Sequence, residues 1–174
     1  MTRPATLIAA FAAACSAACS PTLDWREFVP EGTDISVAFP CRPDRHARAV
    51  MVAGAKARME MLACKAGDAT FALAFVDVAD PAGVSATLAE LRATAESNLQ
   101  GAAKQSAPLR IKGMTPNEQA ARMTIAGKLP DGAAVQAHAA FFTRGLRVYQ
   151  ATVIGAKPVP AVVDTFMAGL KFAG

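Results

Sequence analysis

Cysteines and histidines are the residues of this chain whose chemistry depends most on their surroundings. The 174-residue sequence has four cysteines and two histidines, His46 and His138. The cysteines are Cys15, Cys19, Cys41 and Cys64, and no two have the Cys-x-x-Cys spacing typical of redox pairs. A zinc site at His46 would need further ligands at short spacing, which the sequence does not offer. The thiols are therefore candidates for disulfide formation or modification, and no metal site is predicted.

Residues 1–18 have the pattern of a signal peptide. Arg3 supplies a positively charged start, Leu7–Ala14 is an unbroken apolar run, and small residues follow. No later stretch reaches the roughly 18 consecutive apolar residues that a membrane-spanning helix needs. The pattern predicts a chain that is exported and whose first 18 residues do not belong to the fold.

Residues 16–19, Ser-Ala-Ala-Cys, resemble the lipobox of bacterial lipoproteins, although Ser16 stands where that family usually has Leu, Val or Ile. The resemblance implies lipidation of Cys19, and Ser20 after it implies sorting to the outer membrane. Residues 19–30 are then a tether and short anchoring segment of an envelope protein that faces the periplasm. Two alternatives stay open, namely lipidation of Cys15 and ordinary cleavage after Ala14 without a lipid.

The number of cysteines favours processing at Cys19. That cleavage discards Cys15 and commits Cys19 to the lipid, so that Cys41 and Cys64 remain as an even set. In an oxidising compartment an even set predicts a disulfide. The bond would connect the end of the first predicted strand to the third predicted strand. By closing a loop of about two dozen residues, it would stabilise the fold by about 3 kcal/mol.

Residues 31–174 are predicted to form a single α+β domain. The alternating apolar residues of Ile35–Phe39 indicate a half-buried strand that ends at Pro40. Two groups of alternating runs, residues 47–78 and 120–154, are each divided by glycine-containing turns. They predict a largely antiparallel sheet of about seven to eight strands in two meanders.

Two helices are expected to pack on this sheet. Apolar residues at helical spacing predict one from about Val84 to Gln100, and Pro158 and Pro160 open a second that has one apolar face. Shorter segments are predicted around them, with a helical turn at Trp25 and a strand at 108–112. The order of strands and helices is typical of an α+β layer architecture.

The series of elements resembles the PsbP-like fold, named for an extrinsic photosystem II protein and found in bacterial secreted proteins of unknown role. The resemblance rests on the opening strand 35–40, the Phe-Ala-Leu-Ala-Phe run at 71–75, the helix end at Asn98-Leu99, the Arg-Val-Tyr-Gln strand at 147–150 and the closing element 166–172. It covers nearly the whole mature chain and implies a fold without a catalytic signature.

No catalytic constellation is found, and the chain is predicted not to be an enzyme and to need no cofactor. His46 lies in a polar 43–46 segment that predicts a turn, and His138 alternates with Gln136 along a predicted strand. Neither belongs to a triad or a metalloprotease motif. An enzyme without a recognisable motif is the third hypothesis for function, and a pocket that gathers His138, Asp77 or Glu118 with perturbed titration would favour it.

The charge distribution gives the best indication of a partner. The whole chain has a formal net charge of +4, whereas residues 104–174 hold nine Lys or Arg and three acids, nine minus three giving +6. Such a surface suits anionic lipid headgroups or an acidic partner, although basic residues also keep sheet edges from aggregating. The predicted contacts are Arg110, Lys112, Arg122, Lys128, Arg144 and Arg147. Nucleic acid is not expected, since Tyr149 and scattered Phe residues form no stacking platform.

Together these features predict a non-enzymatic, membrane-tethered module that binds or assists an envelope protein or assembly. The alternative is a periplasmic protein that binds a small apolar or lipid-like ligand in a groove between the sheet and a helix. The oligomeric state stays open.

Overall fold

The computed structural model describes residues 23–173, so the predicted signal peptide, Cys15 and Cys19 lie outside the described residues. The strands are β1 (Arg26–Phe28), β2 (Ile35–Phe39), β3 (Asp44–Val52), β4 (Ala55–Ala66), β5 (Ala69–Asp77), β6 (Ala103–Pro108), β7 (Ala121–Lys128), β8 (Ala134–Arg144), β9 (Arg147–Gly155) and β10 (Lys171–Phe172). The helices are α1 (Gly83–Asn98) and α2 (Pro160–Ala168). None of the helices within 23–173 is long and apolar enough to cross a membrane.

Seven strands form one antiparallel sheet in the order β3-β4-β5-β9-β8-β7-β6. Strands β3 to β5 form one meander and β6 to β9 another, and the pairing of β5 with β9 joins them. In that pairing Phe71 lies opposite Val153 and Asp77 lies opposite Arg147. The predicted α+β class, the antiparallel sheet in two meanders and the two helices are confirmed.

A second sheet of three strands has β2 at its centre, between β1 and β10. The side chains of Ile35, Val37 and Phe39 are fully buried. Their burial agrees with the alternation of apolar residues from which this strand was predicted. The helical turn predicted at Trp25 is wrong, because Arg26–Phe28 pairs with β2 as a strand. The folded part of the chain therefore includes residues that the sequence assigned to the anchoring segment.

The two faces of the large sheet are covered by different elements. Helix α1 buries Val84, Leu88 and Leu91 on one face. Helix α2 and the three-stranded sheet cover the other face, where Phe166 of α2 packs against Phe71 of β5 with ring centroids 5.5 Å apart. The fold is thus a three-layer arrangement with the large sheet in the middle.

Two local predictions need correction. His46 lies within β3, where it is paired with Met61, and not in a turn. The strand predicted at 108–112 is instead β6, Ala103–Pro108, which pairs with β7 through a register shift after Ala103. Both β3 and β6 are edge strands, and the missed parts, residues 44–46 at the start of β3 and residues 104–106 of β6, are polar and lack the apolar alternation that identifies a half-buried strand.

Candidate functional site

Cys41 and Cys64 form a disulfide whose Cα atoms lie 6.0 Å apart. Cys41 follows β2 of the small sheet, and Cys64 lies in β4 of the large sheet. The predicted pairing is confirmed, and the bond joins the two sheets on the face that α2 covers. Trp25 packs beside it on Phe71 with ring centroids 6.1 Å apart, so the N-terminal end of the described chain is held at the same place.

Three of the six basic residues predicted to contact an anionic partner lie together. Arg110, Lys112 and Arg122 line a cleft between α2, strands β7 and β8, and the loop that follows β6. Its volume is about 510 Å³, and its apolar walls include Ile111, Ala140, Met167 and Leu170. Lys171 adds a fourth cation to the lining. The arrangement combines apolar walls with a basic rim.

An ion pair crosses this cleft from the sheet to the helix. Nη2 of Arg122, in β7, lies 2.7 Å from Oδ1 of Asp164, in α2. Both residues also line a second hollow of about 390 Å³, which contains Thr124 and His138. The Arg122–Asp164 pair therefore lies where two adjacent spaces meet. We call the larger one, lined by Arg110 and Lys112, the upper α2 cleft, and the smaller one, lined by Thr124 and His138, the lower α2 cleft.

His138 lies in the lower α2 cleft on the strand position that the sequence predicted. Its Nδ1 is 3.2 Å from Oγ1 of Thr124. Burial lowers the pKa of His138 below its ordinary value, the charge of Arg122 lowers it further, and Asp164 acts in the opposite direction. The imidazole is accordingly neutral at pH 7, and the positive charge of this region comes from Arg122.

A third groove lies on the other side of the loop that connects β6 to β7. It measures about 880 Å³ and is lined by Arg92 of α1 and by loop residues that include Arg110, Met114 and Glu118. Arg92 donates hydrogen bonds to the backbone oxygen and Oε1 of Gln119, at 3.4 Å and 3.1 Å, which connects α1 to this loop. We call this space the loop groove.

The other three predicted basic contacts lie elsewhere. Arg147 makes two hydrogen bonds to the carboxylate of Asp77, at 2.6 Å and 2.7 Å, and Arg144 pairs with Asp34 at 2.6 Å. Lys128 ends β7 six residues beyond Arg122, about 20 Å away along the strand. Arg144 and Arg147 are thus neutralised by acids of the chain, and Lys128 stands apart from the cleft.

Tyr149 occupies the centre of the aromatic core next to Arg147. Its ring stacks on Phe142 with centroids 5.2 Å apart and meets Phe172 edge to face. Burial raises the pKa of Tyr149 to about 12, although Arg147 acts in the opposite direction. The aromatic part of the 147–150 strand therefore belongs to the core.

The structure does not bring His138, Asp77 and Glu118 together, and of the three only His138 lies in the lower α2 cleft. Asp77 is opposite Arg147 on β9 and His138 is opposite Val153, which separates them by six residues or about 20 Å. Glu118 lines the loop groove. Within residues 23–173 no group of three or more His, Cys, Asp or Glu is placed to hold a metal ion.

Sequence reasoning missed Asp164 and Lys171. Asp164 is the acid that faces Arg122, and Lys171 lines the upper α2 cleft while its Nζ lies 3.0 Å from Oε2 of Glu27. A signal was present, because Asp164 is the only charged residue of α2. Its partner lies 42 residues away in sequence, a separation that no local pattern reports.

Comparisons with known proteins give no family. No protein-family model matches the chain, and no curated protein matches it. Among solved structures it is similar to PA94 from Pseudomonas aeruginosa, a protein of unknown function described as a candidate regulator. The identity is 15%, the match covers 80% of this chain and 86% of that one, and the TM-score is 0.39.

Proposed function

We propose that the protein is an exported envelope lipoprotein, tethered to the outer membrane through Cys19 and facing the periplasm, whose domain acts as a non-enzymatic binding or accessory module. The observation that carries the proposal is the Cys41–Cys64 disulfide. Structural disulfides persist in oxidising compartments such as the periplasm. The bond thus agrees with the signal peptide and lipobox pattern of residues 1–19. We also propose a PsbP-like assignment of the fold, on the order of its strands and helices.

The loop groove is the surface that we propose for an envelope protein partner. Its volume of about 880 Å³ and its apolar and basic lining suit an acidic segment with a few apolar side chains. Arg110 and Lys112 are exposed, and no ion pair to either occurs in the described part of the chain. Their charge is therefore available to a partner.

Site-specific photocrosslinking in intact cell envelopes tests this proposal. A photoreactive residue in place of Glu118, in the loop groove, should give an adduct with one identifiable envelope protein. The same residue in place of Lys56, which is exposed at the start of β4 near the opposite edge of the sheet, is the matched control. The charge reversals Arg110→Glu and Lys112→Glu should abolish the Glu118 adduct. Equal adducts from both positions, or an adduct that survives charge reversal, would contradict the proposal.

A second candidate function is favoured by the α2 clefts. They form a space between the sheet and a helix whose walls are apolar and whose rim is basic. Small-molecule sites commonly occupy 300–1,000 Å³ and combine apolar walls with a few polar groups. Such a space would suit a lipid-like ligand, and mass spectrometry of lipid that co-purifies with the protein tests for one.

A further inference from the structure

The α2 clefts carry an ion pair that a ligand could replace. The guanidinium of Arg122 and the carboxylate of Asp164 meet at 2.7 Å where the upper and lower clefts adjoin. The side chain of Asp164 is 67% exposed and that of Arg122 is 37% exposed. An ion pair this exposed contributes little to stability, so that exchange of the Asp164 carboxylate for another anion is not strongly opposed.

The groups around the pair determine which anion fits. Arg110, Lys112 and Lys171 line the same upper cleft, which leaves an excess of positive charge after Asp164 is counted. Lys171 is held by Glu27, whereas Arg110 and Lys112 have no ion-pair partner among residues 23–173. One anionic head at Arg122, with Arg110 and Lys112 lining the same cleft, would reduce this excess of positive charge.

Apolar side chains line the upper cleft next to the ion pair. Ala140 of β8, Ile111, Met167 and Leu170 form the floor of the upper cleft and are each less than a tenth exposed, and the exposed Ala168 of α2 lies at its margin. The lower cleft continues past Val163 and the neutral His138. A flexible hydrocarbon chain suits apolar surface of this kind, because removal of each CH₂ group from water is favourable.

We propose that the α2 clefts bind an amphipathic anion, a molecule with one acyl chain and one carboxylate or phosphate head, and that its head displaces Asp164 from Arg122. This inference rests on the second candidate function and does not depend on the lipid anchor. The chain lies along the apolar walls beneath α2, and the head lies at the rim.

Titration calorimetry with defined probes tests the proposal. The full-length chain carrying Cys19→Ala is used, so that acyl groups of the protein itself do not compete. The probes are oleate, lysophosphatidylglycerol and lysophosphatidylcholine, each below its micelle concentration. Oleate and lysophosphatidylglycerol should bind. Lysophosphatidylcholine, whose head has no net charge, should bind at least about tenfold more weakly, because the basic residues of the cleft repel its choline cation and offset the contact of its phosphate with Arg122. Binding of oleate alone would assign a free carboxylate, and binding of lysophosphatidylglycerol alone a lipid headgroup.

Three variants separate the site from unspecific adsorption. Arg122→Gln should weaken binding of the anionic probes at least about tenfold, and Asp164→Asn should tighten it by up to about fivefold, because the competing carboxylate is gone. Arg58→Gln is the matched control. Arg58 is an exposed arginine near Glu60 in β4, which lies toward the opposite edge of the large sheet from β7, so this substitution should leave the affinity unchanged. Equal binding of all three probes, or equal loss in the Arg122→Gln and Arg58→Gln variants, would overturn the proposal. Either result would leave the lipid-anchor proposal untouched, because that proposal concerns Cys19.

Discussion

The pKa of Tyr149 can be measured without interference from other tyrosines, because Tyr149 is the one tyrosine of the chain. Its ring lies between Phe142, Phe75 and Phe172, and burial raises its pKa to about 12. The tyrosinate absorbance of the native protein should therefore appear near pH 12, whereas the urea-unfolded chain should titrate near the ordinary value of about 10. The same midpoint in both states would show that the phenol is not buried.

Arg147 is expected to be the arginine whose loss most affects stability. It donates two hydrogen bonds to Asp77 and one to the backbone oxygen of Gly32, and it lies over the ring of Phe75. These contacts connect the large sheet to the turn that precedes β2. Arg147→Met should lower the free energy of unfolding in urea by about 1–2 kcal/mol, because the contacts are charge-assisted but partly exposed.

Arg58→Met is the control for that measurement. The Arg58 side chain is 74% exposed and lies 3.8 Å from Glu60, so its loss should change stability by no more than about 0.5 kcal/mol. Equal effects of the two substitutions would contradict a structural role for Arg147. Such a role matters for function, because it removes Arg147 from the residues available to an anionic partner.

At the scale of elements, the disulfide joins the two sheets through β2 and β4. Its cysteines are 23 residues apart, and a closed loop of that length restricts the unfolded chain enough to stabilise the fold by about 3 kcal/mol. The double substitution Cys41→Ala with Cys64→Ala should lower the urea unfolding free energy by about that amount. A reducing agent should destabilise the wild type equally and leave the double variant unchanged. An effect of the reducing agent on the double variant would contradict this account.

The elements that sequence reasoning predicts well are those whose large apolar residues recur with a regular period. Ile35–Phe39 alternates buried apolar side chains, and α2 buries Val163, Phe166 and Met167 on one stripe, so each has a period that identifies it. Strands β1 and β6 have no such period. Their positions depend on pairing with β2 and β7, distant segments whose proximity the local sequence does not report.

The candidate site was predictable only in part, for the same reason. An excess of Lys and Arg after residue 104 indicated a basic surface, and Arg110, Lys112 and Arg122 do lie together. The sequence cannot show that Arg144 and Arg147 are paired with Asp34 and Asp77, since those acids precede them by more than 60 residues. The clefts beneath α2 arise from packing between elements and leave no local pattern.

At the scale of the whole molecule, we propose that the chain is exported and that an anchor at its N-terminal end holds a domain with basic clefts. Cys19 stands four residues before Leu23, where the described structure begins. A chain of that length spans at most about 14 Å. Lipidation would therefore hold the domain close to the membrane surface, within reach of envelope proteins and lipids.

Intact mass combined with membrane fractionation of the natively expressed protein tests the central claim most directly. Wild type and Cys15→Ala should both be processed before Cys19, carry the mass increment of a diacylglyceryl-type modification and remain with the outer membrane. Cys19→Ala should lack the increment and appear in the soluble fraction. If wild type and Cys19→Ala were instead equally cleaved, unmodified and soluble, Cys19 would not be an anchor, and the account of a membrane-tethered lipoprotein would be contradicted.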